Sequence, residues 1–583
     1  AIARIPATSA EEAGSIADKI AQYAAGTRKT AWKQRFLFLA DDGDEGEHLK
    51  QTEKMISKFQ YAERQQHLVK KVYIDAFELV GNETPAAREA MHRYLDEGVV
   101  WWNFIGHAHS TGWTSEGILT YSDINTMYLR HWPFIYAATC DFLRLDGAKQ
   151  SGAELLFKVR HGGAIGIIAA VRPVYISSNA MFSNAIGRAL AMRDDQGLLL
   201  RPGDIYRIAK NDIRDKNDKP CADDNRLRYS FIGDPAMRLA TPSNIARIES
   251  INGIPVGGNE QITIAALEKA GIKGSVTSPD GTVLENFNGT LLVEIFDAER
   301  TFTTLGHHKD GTKDPFEDYG ERIYCGSAKV VGGRFEFTAA MPAEISQNFR
   351  PATMSLFAYA ADSDNEAAGL CRDFYVYGYD ENAAPDTNPP TIDSFVLNHS
   401  SFRSGDTVND SPMLIAAISD DTGINVSTAG IGRQMTALLD NKTSLDDLSF
   451  YYTPSADGSP AGVINYPLEN LEAGAHTLSL RIWDTAGNPA NAYIEFFVNP
   501  AEKPKIYDVY TDANPASTQA NFYLSHDRPD AMINVEISVY DLLGRPLWSK
   551  SANGRSDMFL SMPVSWDLID NSGRRVPRGI YLY

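Results

Sequence analysis

Two short apolar runs end in side chains that can do covalent chemistry. Val99 to Ile105 leads into Gly106-His107-Ala108-His109, and Pro133 to Ala138 leads into Thr139-Cys140-Asp141. Each run is rich in aromatic or β-branched residues and reads as a buried parallel strand. Open α/β sheets place their sites at the carboxyl ends of the strands. If the two strands are neighbours, an imidazole and a thiol meet there, which is the minimum for cysteine nucleophilic catalysis. A thiol attacks a carbonyl only as a thiolate, and a neighbouring imidazole favours that state by taking the proton. The backbone N–H groups of Cys140 and Ala108 are the candidates for an oxyanion hole. Asp42, at the end of another predicted strand, is the candidate to orient the imidazole, with Asp41 and Asp44 as competitors. The plainer alternative is that a strand-end His or Cys is simply packed.

His109 opens a different route, because His-x-His on a strand can bind zinc or iron. The nearest further histidines, His131 and His161, fall before a strand and at a helix end, so no metal and no cofactor is expected. Gly162-Gly163 and Gly257-Gly258 read as turns, and no phosphate-loop pattern is present. Of the four cysteines, Cys221 lies in a polar loop, and Cys325 and Cys371 fall in one strand-rich segment where an oxidising compartment would allow a bridge.

The elements that must hold these residues follow from patterning. The chain has 583 residues, 43% hydrophobic and 10% aromatic, with a net charge of -20. The length allows several domains. The charge argues against nucleic acid or an anionic membrane surface as the main partner, and no apolar run is long enough to span a bilayer as a helix. Ser9 caps a predicted helix to about Ala24. Strand Trp32 to Ala40 ends in the acidic turn from Asp41 to Glu45, and a helix from about Gly46 to Tyr61 follows. Strand Lys71 to Phe77 and a helix opened by Thr84-Pro85 lead to the two reactive strands. Helix Ala153 to Arg160, strand Gly163 to Ala170 and helix Asn179 to Ala191 complete an alternating run, which predicts a mostly parallel sheet covered on both faces. From Pro242 the helical period vanishes, and short alternating strands such as Leu291 to Phe296 and Met354 to Tyr359 predict a β-sandwich. Residues 383–390 read as a linker. The expected domains are 1–241 (catalytic), 242–388 and 389–503 (two β-sandwiches) and 504–583 (a small β module ending in a strand-like Gly-Ile-Tyr-Leu-Tyr).

At these residues a resemblance becomes specific. FIGHAHSTGW, the TCDF after an apolar strand, and FIGDPAMRL at Phe231 to Leu239 resemble the gingipain-type, caspase-like cysteine peptidases. The resemblance covers about Ala1 to Thr241 and implies an α/β caspase-like catalytic domain, followed by immunoglobulin-like β domains. It puts the general base on His107, the nucleophile on Cys140 and the orienting acid on the ADDGD turn, best at Asp42. Ala108 departs from the family's Gly-His-Gly. Leu49 stands where arginine-specific members carry the aspartate of the substrate pocket. A preference for Arg is therefore not expected, since a buried guanidinium without a carboxylate is costly. The first subdomain of the family is expected upstream of this sequence.

The tail adds to this. NPAS at Asn514, VEISVYDLLGRPLW and SWDLIDNSGRRVPRGIYLY resemble the sorting and FlgD-like β modules of type IX secretion. The combination is similar to the C-terminal signal peptidases, or sortases, of that system. It implies an enzyme on the outer-membrane surface that removes the C-terminal signal domains of secreted proteins. The cargo would pass to an amine of anionic lipopolysaccharide, beside a PorV-like outer-membrane β-barrel partner. A secreted gingipain-like protease using its own tail as export signal is the alternative, and an inactive surface-binding protein the second.

Overall fold

The computed structural model describes the chain except residues 1, 27–28, 61–65, 216, 218, 222, 308–310, 431 and 446. Residues 1–383 with 456–459 form one compact unit, and residues 384–455 with 460–583 a second.

The first unit is built on a six-stranded sheet of β1 (Arg35–Ala40), β2 (Leu68–Tyr73), β3 (Trp101–Ile105), β4 (Phe134–Ala138), β5 (Gly166–Ala170) and β6 (Tyr229–Gly233), in the order β2-β1-β3-β4-β5-β6. All neighbours are parallel except β5 and β6. β4 and β5 are unbroken apolar runs and β1 and β3 nearly so, because both faces are covered. Phe36, Phe38, Trp101 and Tyr136 face one core, while Leu37, Leu39, Trp102 and Phe104 face the other. That alternation is the two-residue period of a strand. Each fully buried side chain of this size stabilises the fold by roughly 1.5–3 kcal/mol.

The helices are α1 (Ala10–Ala25), α2 (Glu47–Gln60), α3 (Pro85–Glu97), α4 (Tyr121–Thr126), α5 (Gly152–Lys158), α6 (Ile176–Ala191) and α7 (Pro202–Asn211). Ser9 caps α1 by accepting from the Glu12 N–H, as its sequence predicts. The expected end of α2 at Tyr61 lies outside the described residues. β2 starts three residues before its predicted position, and Ile74–Ala76 is a 3-10 turn. Lys70 and Lys71 sit inside β2, and two lysines had masked the strand's beginning. The short α4, α7 and the antiparallel β6 were not foreseen.

Eight of the strands between Asn244 and Cys371 form one sheet that closes on itself, because Asn244–Ile251 pairs with both Lys269–Thr277 and Glu366–Cys371. The sandwich expected here is thus a ring of strands rather than two separate sheets. Cys325 and Cys371 are free thiols. Glu294 pairs with Cys325 and Ser355, and Met354 pairs with Cys371. Three strand spacings, about 14 Å, separate the thiols, beyond the roughly 7 Å between Cα atoms that a disulfide spans.

In the second unit, Thr391–Leu397, Met413–Ser419, Ala461–Pro467 and Tyr452–Pro454 form one sheet, and five strands around Gly474–Trp483 and Pro489–Val498 another. Ile506–Thr511, Ala520–His526 and Val564–Trp566 form a third sheet beside the hairpin Met532–Tyr540/Pro546–Arg555. Phe522, Val535, Ile537, Trp548 and Trp566 fill their core. The terminal Gly-Ile-Tyr-Leu-Tyr makes one isolated bridge, Leu582 to Tyr540, instead of a strand.

Candidate active site

The reactive strands are neighbours in register: Ile105 of β3 stands opposite Ala138 of β4. The ladder continues one step further, where the Gly106 N–H donates to Ala138 O at 3.4 Å. His107 and Cys140 therefore leave adjacent strands at matching heights, each two residues beyond a paired position, at the carboxyl edge of the sheet.

Their side chains have different partners. Cys140 Sγ accepts from the Val174 N–H at 3.4 Å and lies 3.6 Å from Val174 O. The His107 ring turns the other way, with Nε2 3.3 Å from Asp44 Oδ2 and its plane edge-on to His48, ring centroids 5.1 Å apart. Among the described residues the thiol and the imidazole are not hydrogen-bonded to each other in this conformation. Uniting them requires the His107 ring to leave Asp44, and at 59% exposure it has room to swing.

The backbone around His107 is built for close approach. The Asp41 carboxylate accepts from the His107 N–H at 2.7 Å. A Cβ on Gly106 would fall 2.3 Å from Asp41 Cβ, so that position admits no side chain, and one on Gly43 would fall 2.8 Å from the His107 ring, so a side chain there would force the ring to move. Asp44 and Glu45, followed by Gly46, all adopt left-handed φ, as does Asp141 just after Cys140. Non-glycine residues in that region cost about 1–3 kcal/mol each and collect at functional sites. His109 lies in the tight hairpin Ala108–His109/Gly112–Trp113 and is tied to Thr111. Trp113 anchors the hairpin by stacking on Phe104, centroids 4.4 Å apart. His131 stacks on Trp32, and among the described residues no group of metal-capable side chains includes His109.

The acids separate by position. Asp42, named from sequence as the orienting group, does not face the His107 ring; its Oδ2 lies 3.9 Å from His307 Nδ1. The carboxylate beside the ring is that of Asp44, its competitor. Burial pushes Asp41 up even against the His107 N–H, and the carboxylates of Asp42 and Glu116 add to the rise. Asp42 rises for the same first reason, burial, then from Glu116. Burial pulls His48 down to about 4, with His107 adding to the fall and Asp44 opposing it.

Leu49 is not a wall of an open pocket. It is 4% exposed and packs with Ala40, Tyr73 and Phe316, the last from the hairpin Arg300–Thr303/Pro315–Asp318. The loop of that hairpin is clipped to the catalytic sheet: Asp75 accepts from the Gly306 and His307 N–H groups at 3.3 and 2.7 Å, and its own carbonyl takes the Leu305 N–H. Sequence reasoning missed His48, Asp75, Glu116, Val174 and His307. His48 follows the acidic turn by one helical turn, a spacing that could have drawn notice. His307 comes from a distant hairpin and has no local signal.

Residues 1–240 match the family model of peptidase family C25. This part of the chain is similar to the gingipain-type cysteine peptidase domains of that family. Among solved structures, dimeric latent PorU from Porphyromonas gingivalis is 28% identical, covering 73% of this chain and 39% of that one, with a TM-score of 0.32. The complex of the pro- and mature domains of RgpB from Porphyromonas gingivalis is 14% identical, covering 64% and 76%, with a TM-score of 0.33. The chain thus spans well under half the length of the PorU chain. No curated protein matches.

Proposed function

We propose that the chain is a cysteine endopeptidase and sortase that removes C-terminal signal domains from type IX secreted proteins and transfers the cargo to an amine of anionic lipopolysaccharide. The observation that carries the peptidase half is the emergence of His107 and Cys140 at matching heights on adjacent strands of a C25 domain. The sortase half rests on the resemblance of the Asn514 and Trp566 segments to type IX sorting modules. In this reading Cys140 Sγ attacks the scissile carbonyl, and the N–H groups of Ala108 and Cys140 receive the oxyanion. His107 gives its proton to the leaving amine, leaving an acyl thioester on Cys140. Water then yields hydrolysis and an amine yields the joined product; which wins depends on exclusion of water. Once the ring has left Asp44, the acid that the family resemblance assigns to the turn, Asp42, orients the imidazole. The strand-rich segments after the catalytic domain act as immunoglobulin-like supports and a FlgD-like tail. The protein works on the outer-membrane surface beside a PorV-like barrel, without a preference for Arg before the scissile bond.

The test is incubation of the purified chain with a cargo signal domain and a labelled primary amine, followed by mass analysis. The expected result is a cargo carrying the label at its new carboxyl end. Hydrolysed cargo alone leaves a peptidase and removes the sortase half. A second expected result concerns the base: His107→Ala lowers cargo cleavage by about 10²–10⁴-fold, the usual size of a general acid–base contribution, and His109→Ala by less than a tenth of that. The reverse order in the same assay would move the base to His109.

A further inference from the structure

Asp41 in the turn after β1, His48 at the start of α2 and His107 after β3 bring ligand atoms together, and Asp44 borders the two imidazoles. Asp44 Oδ2 lies 3.3 Å from His107 Nε2 and 3.4 Å from His48 Nε2. Asp41, His48 and His107 offer ligand atoms that all lie within 4.8 Å of one another. His48 is 6% exposed, and among the described residues neither of its ring nitrogens makes a hydrogen bond, Nε2 having only the 3.4 Å ion-pair contact with Asp44. An unpaired buried imidazole is costly unless something else uses its lone pair. The Asp44 contacts fit a metal better than a hydrogen bond. Zinc holds His nitrogen and carboxylate oxygen at about 2.0–2.1 Å in a tetrahedron, which sets its donors about 3.3 Å apart. Hydrogen bonds of this type are shorter, near 2.9 Å. The carboxylates of Asp42 and Glu116 stand close by and add negative potential for a cation.

We propose that Asp41, His48 and His107, whose ligand atoms lie together, form a zinc site with Asp44 drawn in as the fourth donor, which holds the His107 ring away from Cys140 and so keeps the peptidase reversibly idle. Binding of the ion is independent of the reading of His107 as general base; the idling rests on it. Zinc takes the Nε2 lone pair of His107, and the ring can no longer accept the proton of the thiol. Removing the ion frees the ring to swing toward Cys140. The donor set excludes the thiol, which separates this site from the commoner case of zinc bound through a reactive cysteine.

Equilibrium dialysis of the purified chain against zinc, and the visible spectrum with cobalt as substitute, read binding without activity. Cys140→Ala is expected to bind one zinc per chain as the unsubstituted chain does, with the intense visible bands of tetrahedral cobalt. His48→Gln is expected to bind at least tenfold more weakly and to lose those bands. Asp44→Asn, at a side chain 45% exposed and so safe for the core, should weaken binding as well. Zinc retained by His48→Gln and lost by Cys140→Ala would overturn the site, as would no saturable binding to any of the three. Cargo cleavage by the unsubstituted chain should fall on adding zinc and return with a chelator. In His48→Gln, measured against its own rate without metal, it should not fall. Binding through His48 with cleavage indifferent to zinc would overturn the idling and count against His107 as base, while leaving the site standing.

Discussion

Cys140→Ala is expected to abolish cargo cleavage, by at least about 10⁴-fold, while the protein keeps its fold. Removing a nucleophile takes away the covalent step itself, and such losses are among the largest that single substitutions give. The fold should hold because Cys140 is only partly buried and its thiol makes two weak contacts, both to the backbone of Val174. Loss of one methyl-sized group at such a place costs well under about 1 kcal/mol. The check is product formation from a signal-domain substrate beside the thermal unfolding of the same preparation. Turnover within tenfold of the unsubstituted chain would reject Cys140 as nucleophile. An unfolded variant would show instead that the thiol holds the loop before α6.

The contrast between what the sequence revealed and what it hid has physical causes. β1, β3 and β4 were legible because both faces are buried, so each is a largely apolar run whose length matches a strand, interrupted only by Asn103 in β3 and opened by Arg35 in β1. From that, the positions of His107 and Cys140 at one sheet edge follow, given that the strands are neighbours. Which way the side chains turn does not follow. The direction of the His107 ring depends on Gly43 leaving room for it and on two successive left-handed residues carrying Asp44 beneath it. An acidic turn announces a loop, but not which of its carboxylates meets the ring, so Asp42 and Asp44 could not be separated. Leu49 shows the same limit from the other side. As an apolar residue on α2 it suits either a pocket wall or a core, and only the distant Phe316, arriving on a hairpin from the next domain, closes the space over it.

The second large effect is expected far from the thiol, where the catalytic sheet meets the closed ring of strands. Glu294 lies between Arg322, at 2.9 Å, and Arg35, at 3.5 Å, and Arg35 also reaches Glu97. Lys70 sits over the Phe296 ring two residues along the same strand. At 14% exposure, burial alone would raise this carboxyl, but Arg35, Arg322 and Lys70 outweigh it and hold it down at about 2. Replacing it by Gln keeps the volume and leaves the buried cations short of a counter-charge, an arrangement that costs roughly 3–5 kcal/mol. Glu294→Gln should therefore lower the thermal midpoint of the first unit by several degrees at pH 7. The same shift fixes the pH dependence. A carboxyl held below its ordinary 4.5 contributes stability that is fully present above that value and is lost as pH falls toward 2. The amount is about 3 kcal/mol. The gap between the two proteins should stay constant from pH 7 to about 5 and narrow below 4.5, read as the difference in urea midpoint at each pH. A gap absent at pH 7, or one that persists unchanged to pH 3, would mean that the guanidinium groups are balanced by Glu97 and that Glu294 is not what joins the two sheets.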